Sequence, residues 1–115
     1  PYMFKRLGII KNAPIVCDSN YEEKILKLRE YGYVNAVKTN KYPGSVFDGV
    51  SLMQKTKIVI TSNSKNLNNE QMNYSWDSDR MGVIVDKPID KHNHLIDCSR
   101  YVCMKMRDEG IIKIV

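Results

Sequence analysis

Short apolar runs alternate along the chain with segments whose apolar residues recur at helical spacing, and this order predicts an α/β fold. The compact run from Ala13 to Cys17 predicts a buried strand that ends at the carboxylate of Asp18. Residues 33–38 alternate, and residues 57–61 alternate and are β-branched, so each predicts a further strand. Strands separated by helices in this way predict a parallel or mixed sheet.

Caps and breakers set the expected limits of the helices. Ser19 or Asn20 is expected to cap a helix that ends at Gly32, and Ser45 a second helix that ends near Gln54. The remaining predictions are a helix within 63–73, a connecting turn over 74–82, an extended piece at 83–85, and a last helix capped by Asp90 that ends near Asp108. The face of the last helix expected to pack on the sheet consists of Leu95, Cys98, Val102 and Met106.

Composition limits the classes of protein to which the chain can belong. Its 115 residues, 43% hydrophobic and 27% charged, predict one compact domain over residues 1–115. The apolar runs are too short for a membrane span and no secretion leader is visible, so a cytoplasmic protein is expected. Three cysteines without a CxxC spacing argue against both a disulfide framework and a zinc site. The net charge of +5 favours a polyanionic partner.

One set of side chains has the spacing of metal ligands. His94 and Asp97 are three residues apart in the last predicted helix, so their side chains point the same way from consecutive turns. Asp18 follows a strand, and ligand sites in open α/β sheets form at the carboxyl ends of strands. Carboxylate and imidazole ligands suit Mg²⁺ or Mn²⁺. From spacing alone, a capping role for Asp18 and a solvated helix face for His94 and Asp97 remain open.

Several motifs together resemble a known family. The run from Asp86 to Tyr101 is similar to the terminase pattern of Pro-x-Asp, then Asn-His-x-x-Asp, then Arg-Tyr. The stretch from Asn68 to Trp76 is similar to the family's Glu followed by Tyr-x-Trp, and Val37 to Val46 resembles its Lys and Gly-Ser-Val block. The resemblance covers about residues 14 to 102. The chain therefore resembles the C-terminal nuclease domain of the large terminase subunit of tailed bacteriophages.

The resemblance implies a ribonuclease-H-like mixed sheet flanked by helices, with a two-metal site for Mg²⁺ or Mn²⁺. Asp18 matches the family's second acid, Asp97 its third, and His94 an auxiliary ligand, so these three are the expected catalytic and metal-binding residues. The first acid and the opening strands that carry it have no match before Pro14. Either these strands were removed, which we favour, or an acid elsewhere in the chain substitutes. If the first acid is not present, this fragment is expected to be inactive. The GxxxxGK[ST] loop of the family's ATPase motor is also absent.

Nucleic-acid contacts are expected from Lys38, Lys41 and Ser45, because two ammonium groups and a helix N-terminus can bind phosphate. A solvated loop is the alternative. Arg100 is expected to touch substrate or to orient a ligand, and the alternative is that it simply pairs with a carboxylate such as Glu70 or Asp97.

The function implied is an endonuclease that cuts concatemeric double-stranded DNA during genome packaging, in the cytoplasm of the bacterial host. Its implied partners are an ATPase domain, the small terminase subunit and the portal. One alternative is another ribonuclease-H-like nuclease, such as a junction resolvase. The other is a non-catalytic basic module that binds nucleic acid or a protein partner. An open sheet edge would also favour self-association of the fragment.

Overall fold

A computed structural model of the chain describes residues 2–91 and 93–112, and for residue 86 it describes the backbone alone. The chain divides into two compact units, one up to Lys41 and one from Tyr42. Each unit contains a two-stranded sheet with helices around it. The interpretation of residues 1–115 as a single domain stays a prediction.

The first unit has a parallel pair of strands between short helices. Its elements are α1 (Tyr2–Arg6), β1 (Ile15–Cys17), a 3-10 turn (Ser19–Tyr21), α2 (Glu22–Glu30) and β2 (Ala36–Lys38). In the sheet, Ile15 lies opposite Ala36 and Cys17 opposite Lys38. Tyr33 is 1% exposed, and the ring of Phe4 meets it edge-on at 5.2 Å between centroids. The core of this unit therefore forms around Tyr33.

Both strands predicted for this unit are confirmed, although each is shorter than its apolar run. The predicted cap at Ser19 or Asn20 is wrong, because the N-cap residue of α2 is Tyr21 and its side chain makes no capping hydrogen bond. The Oδ1 atom of Asp18 accepts the Asn20 N–H at 3.0 Å, so Asp18 caps the 3-10 turn that leads into α2. Gly32 follows α2 with a φ of 98°, which confirms that it ends the helix in the left-handed region.

The second unit has three helices and an antiparallel hairpin. Its elements are α3 (Ser45–Lys55), α4 (Lys65–Asn73), β3 (Trp76–Ser78), β4 (Ile84–Pro88) and α5 (His94–Asp108). Helices α3 and α4 both pack against α5, and β4 contacts α3. Three of its buried apolar side chains belong to Leu52, Ile96 and Met104. The helix α5 is thus the central element of this unit.

Three predictions for the second unit are wrong. Residues 57–61 form no strand, and the side chains of Ile58 and Val59 are exposed. Alternation alone cannot form a strand, because the backbone also needs a hydrogen-bonded neighbour. The predicted turn over 74–82 instead contains β3, which pairs with β4. The caps also lie elsewhere, with Gly44 before α3 and Asn93 before α5 in place of Ser45 and Asp90.

The predicted packing face of the last helix is also wrong. Leu95 is 38% and Val102 46% exposed, and Cys98 is exposed too. The buried residues of α5 are Ile96, Arg100, Tyr101 and Met104. A hydrophobicity pattern counts arginine as polar, whereas the long aliphatic stem of Arg100 is buried here. No described helix is both long and apolar enough to cross a bilayer.

Candidate metal centre

The two ligands predicted on the last helix lie at its start. His94 is the first residue of α5, and Asp97 lies in the first turn, where its N–H donates to the Asn93 carbonyl at 2.7 Å. The His94 residue is exposed, and the Asp97 side chain is 30% exposed. An imidazole and a carboxylate one turn apart on an accessible face can both bind one ion. The structure therefore presents His94 and Asp97 together.

Arg100 lies one turn beyond Asp97 and reaches back to it. Its Nη2 donates to Asp97 Oδ1 at 3.3 Å, and its guanidinium lies 4.8 Å from the ring centre of Tyr101. The side chain is only 5% exposed. The structure thus pairs Arg100 with Asp97, and a contact of Arg100 with DNA stays a prediction.

Glycine at position 49 of α3 makes room for the Arg100 stem. A Cβ atom built on Gly49 would lie 2.5 Å from Arg100 Cγ and 2.8 Å from the sulfur of Met104. The Nε of Arg100 is buried without a hydrogen-bond partner among the described residues. Close packing around its stem and the hydrogen bond to Asp97 together hold the guanidinium in place.

Tyr74 completes the surroundings of Asp97. Burial raises the pKa of its phenol, and the negative charges of Asp97 and Asp90 raise it further, while the positive charge of Arg100 lowers it. The phenol thus stays neutral near a carboxylate, where it can accept or donate a hydrogen bond.

The start of α5 is also held by a residue that the sequence did not indicate as functional. Glu70 on α4 accepts the Leu95 N–H at 2.8 Å and the Ile96 N–H at 3.0 Å with the same carboxylate oxygen. The two residues are 25 and 26 positions from Glu70, so no local capping pattern could reveal the contact. Glu70 appears within the recognised motif, but the motif alone does not show its partner.

Asp18 and the two predicted DNA-contacting lysines belong to the first unit. Asp18 Oδ1 accepts a hydrogen bond from Lys41 Nζ at 2.6 Å, and Lys38 Nζ lies 2.8 Å from Glu22. The hydrogen bond from Lys38 lowers the pKa of the Glu22 carboxyl. Ser45, in the second unit, is 6% exposed in the first turn of α3. Phosphate contacts by Lys38, Lys41 and Ser45 stay predictions.

The donor chemistry at α5 fits a hard divalent ion. A carboxylate suits Mg²⁺ and Mn²⁺, and Mn²⁺ also accepts imidazole. Among the described residues, no group of three or more His, Cys, Asp or Glu side chains lies close enough to hold a metal. His92 and the side chain of Asp86, both within the recognised motif, lie outside the described part of the chain. The role of Asp18 as a further ligand stays a prediction.

Comparisons with known proteins identify the family of the fold. Residues 9–104 match the family model of the terminase RNase-H-like domain. The fold is similar to the crystal structure of the nuclease domain of the large terminase g2p from bacteriophage SPP1, determined with bound Mn, with a TM-score of 0.80 and 29% sequence identity. The match covers 90% of this chain and 60% of that one. No curated protein sequence matches the chain.

The family match spans most of the chain, and the structural match covers 90% of it. The ribonuclease-H-like α/β fold predicted from the sequence is thereby confirmed. The chain belongs to the terminase RNase-H-like domain family, to which its motifs pointed, and resembles the nuclease domain of phage large terminase subunits.

Proposed function

We propose that the chain is part of a divalent-metal-dependent DNA endonuclease of a phage large terminase, which cuts concatemeric double-stranded DNA during genome packaging. The family assignment supports this proposal, and so does the likeness to a nuclease domain determined with bound Mn. The chain spans 60% of that related domain, so the activity, the substrate and the partners are proposed for the complete nuclease.

The observation that carries the proposal is the donor pair at the start of α5. His94 and Asp97 lie within one turn, partly exposed, with a buried arginine beside the carboxylate. Burying a guanidinium is costly unless its charge is paired, and the charge of Arg100 is paired with Asp97. We assign Asp97 and His94 as ligands of Mg²⁺ or Mn²⁺, and Asp18 as a further ligand on the strength of the motif resemblance.

Several charged residues have a task in this proposal. Asp97 and His94 hold the ion, and Arg100 donates a hydrogen bond to Asp97 that restricts the orientation of its carboxylate. Lys38 and Lys41 contribute positive charge for the DNA backbone, consistent with the net charge of +5. A bound divalent ion supplies an activated water and stabilises the leaving oxygen of a phosphodiester.

In this role the protein would act in the cytoplasm of the bacterial host beside an ATPase domain, the small terminase subunit and the portal. Its contacts to the substrate would be mainly to phosphates, which position DNA without reading its sequence. Binding to DNA should therefore weaken steeply as salt is raised.

Nicking of a supercoiled plasmid tests the proposal. The assay compares this chain with the complete polypeptide that its gene encodes, each with Mn²⁺, Mg²⁺ or EDTA. We expect the complete polypeptide to cut with a divalent metal and to be inactive in EDTA. Asp97→Ala should lower the rate of cutting about 100-fold or more, because removing one of several catalytic groups that act together abolishes most of the activity.

Asp108→Ala is the matched control, since Asp108 is a carboxylate at the other end of the same helix. It should cut at the wild-type rate. Unchanged cutting by Asp97→Ala would contradict the ligand assignment. Absence of cutting with either metal would instead favour the basic module that binds nucleic acid without cleaving it.

A further inference from the structure

The N-terminus of α5 is capped by another helix. An α-helix leaves its first N–H groups without partners inside the helix, and a side chain just before the helix usually accepts one of them. The N-cap residue here is Asn93, and its side chain makes no capping hydrogen bond. Its amide donates to Asp90 instead, at 3.2 Å. The start of α5 therefore depends on a partner from elsewhere.

That partner is Glu70 on α4. One oxygen of its carboxylate accepts the N–H groups of both Leu95 and Ile96. A negative charge at this point also complements the positive end of the helix dipole. Because Glu70 is only part-exposed, solvent screens the contact less than it would at a fully exposed cap.

The two capped residues lie between the proposed metal ligands. His94 precedes Leu95, and Asp97 follows Ile96. The hydrogen bonds to Glu70 therefore fix the backbone of the one turn that carries both side chains. Fraying of this turn would separate the imidazole from the carboxylate.

We propose that Glu70 is a positioning residue for the metal centre, acting through the backbone of residues 95 and 96 to hold His94 and Asp97 in one arrangement. The inference rests on the proposed function, because it requires that His94 and Asp97 bind the ion. In this proposal, Glu70 itself contacts neither the metal nor DNA.

Binding of Mn²⁺ measured by electron paramagnetic resonance tests the inference without relying on cleavage. The Kd is compared for the complete polypeptide that its gene encodes and for its Glu70→Ala, Glu70→Gln and Asp97→Ala variants. Glu70→Ala should raise the Kd about tenfold, as expected for loss of a group that orients metal ligands. Glu70→Gln keeps an oxygen that can accept both N–H groups, so its Kd should stay within about threefold of the wild type.

Asp79→Ala is the matched control for loss of stability. Asp79 Oδ1 also accepts two backbone N–H groups, from Met81 at 2.8 Å and Val83 at 3.0 Å, but it lies in the β3–β4 hairpin. Its removal should lower the thermal midpoint as Glu70→Ala does while leaving the Mn²⁺ Kd unchanged. All Kd values are measured well below the lowest midpoint of the set.

Hydrogen exchange gives a second, metal-free measurement. The amides of Leu95 and Ile96 should exchange faster in Glu70→Ala than in the wild type, and Glu70→Gln should restore much of their protection. Unchanged exchange in Glu70→Ala would overturn the capping role.

The outcomes separate this inference from the function on which it rests. If the wild type binds Mn²⁺ and Asp97→Ala does not, a wild-type Kd for Glu70→Ala overturns the positioning role alone. A Kd for Glu70→Gln as high as that for Glu70→Ala also overturns it, because the oxygen that glutamine keeps as an acceptor would then have no effect on metal binding. A complete wild-type polypeptide that does not bind Mn²⁺ contradicts the proposed metal site and this inference with it.

Discussion

The carboxylate of Asp18 has a structural task in addition to the metal-binding role proposed for it. Its Oδ1 caps the 3-10 turn through Asn20 and meets the ammonium group of Lys41. The sequence left a capping role and a ligand role open as alternatives, and the structure shows the first of them. One oxygen atom can serve as a cap while the carboxylate as a whole carries the charge that a metal requires.

Substitution of Asp18 can separate the two tasks. Asn in its place keeps an oxygen for the Asn20 N–H but removes the negative charge. We therefore predict that Asp18→Asn changes the thermal midpoint little and lowers metal-dependent plasmid cutting by the complete polypeptide about 100-fold. Asp18→Ala should also lose the cap, which costs about 1 kcal/mol of unfolding free energy.

Chemical denaturation and the plasmid assay on the same preparations check this prediction. If Asp18→Asn cuts the plasmid at the wild-type rate, Asp18 acts only as a cap and not as a metal ligand. A large loss of stability in Asp18→Asn would show that the pair with Lys41 matters more than surface ion pairs usually do.

At the scale of single elements, the sequence predicted which segments are helical better than which faces they bury. The last helix was expected to end near Asp108, and it does. Its buried face differs from the prediction because Arg100 packs its stem where Gly49 removes a side chain. Helical periodicity describes one helix at a time, whereas the face that is buried depends on the helix that packs against it. The cap from Glu70 escaped prediction for the same reason.

Gly49 provides the test of this packing. A methyl group there would lie 2.6 Å from Arg100 Cδ, so α3 and α5 would have to move apart or Arg100 would have to leave its place. We predict that Gly49→Ala destabilises the protein by about 1–3 kcal/mol, as overpacking does. This loss should exceed the gain of up to about 1 kcal/mol from alanine's better helix propensity.

Denaturant unfolding measures this difference, with Gln54→Ala as the control on an exposed position of α3. The control should change the stability by less than about 0.5 kcal/mol. An increase in stability for Gly49→Ala would contradict the close approach of the two helices.

At the scale of the whole molecule, the alternation of strands and helices was enough to predict the α/β class, and the motifs were enough to predict the family. The likeness to the SPP1 nuclease domain confirms the fold at 29% identity. Strand pairing was less predictable. Residues 76–78 pair with β4 although they were expected to be a turn, and residues 57–61 do not pair although their pattern is that of a strand. Pairing depends on residues distant in sequence, which local propensity does not record.

Whether His94 and Asp97 bind a divalent ion is tested most directly by anomalous scattering from Mn²⁺ in crystals of the complete polypeptide. We predict an anomalous peak at ligand distance, about 2 Å, from the Asp97 carboxylate and the His94 imidazole. Soaking with EDTA should remove it. A map at saturating Mn²⁺ with no peak at these two side chains would contradict the metal centre.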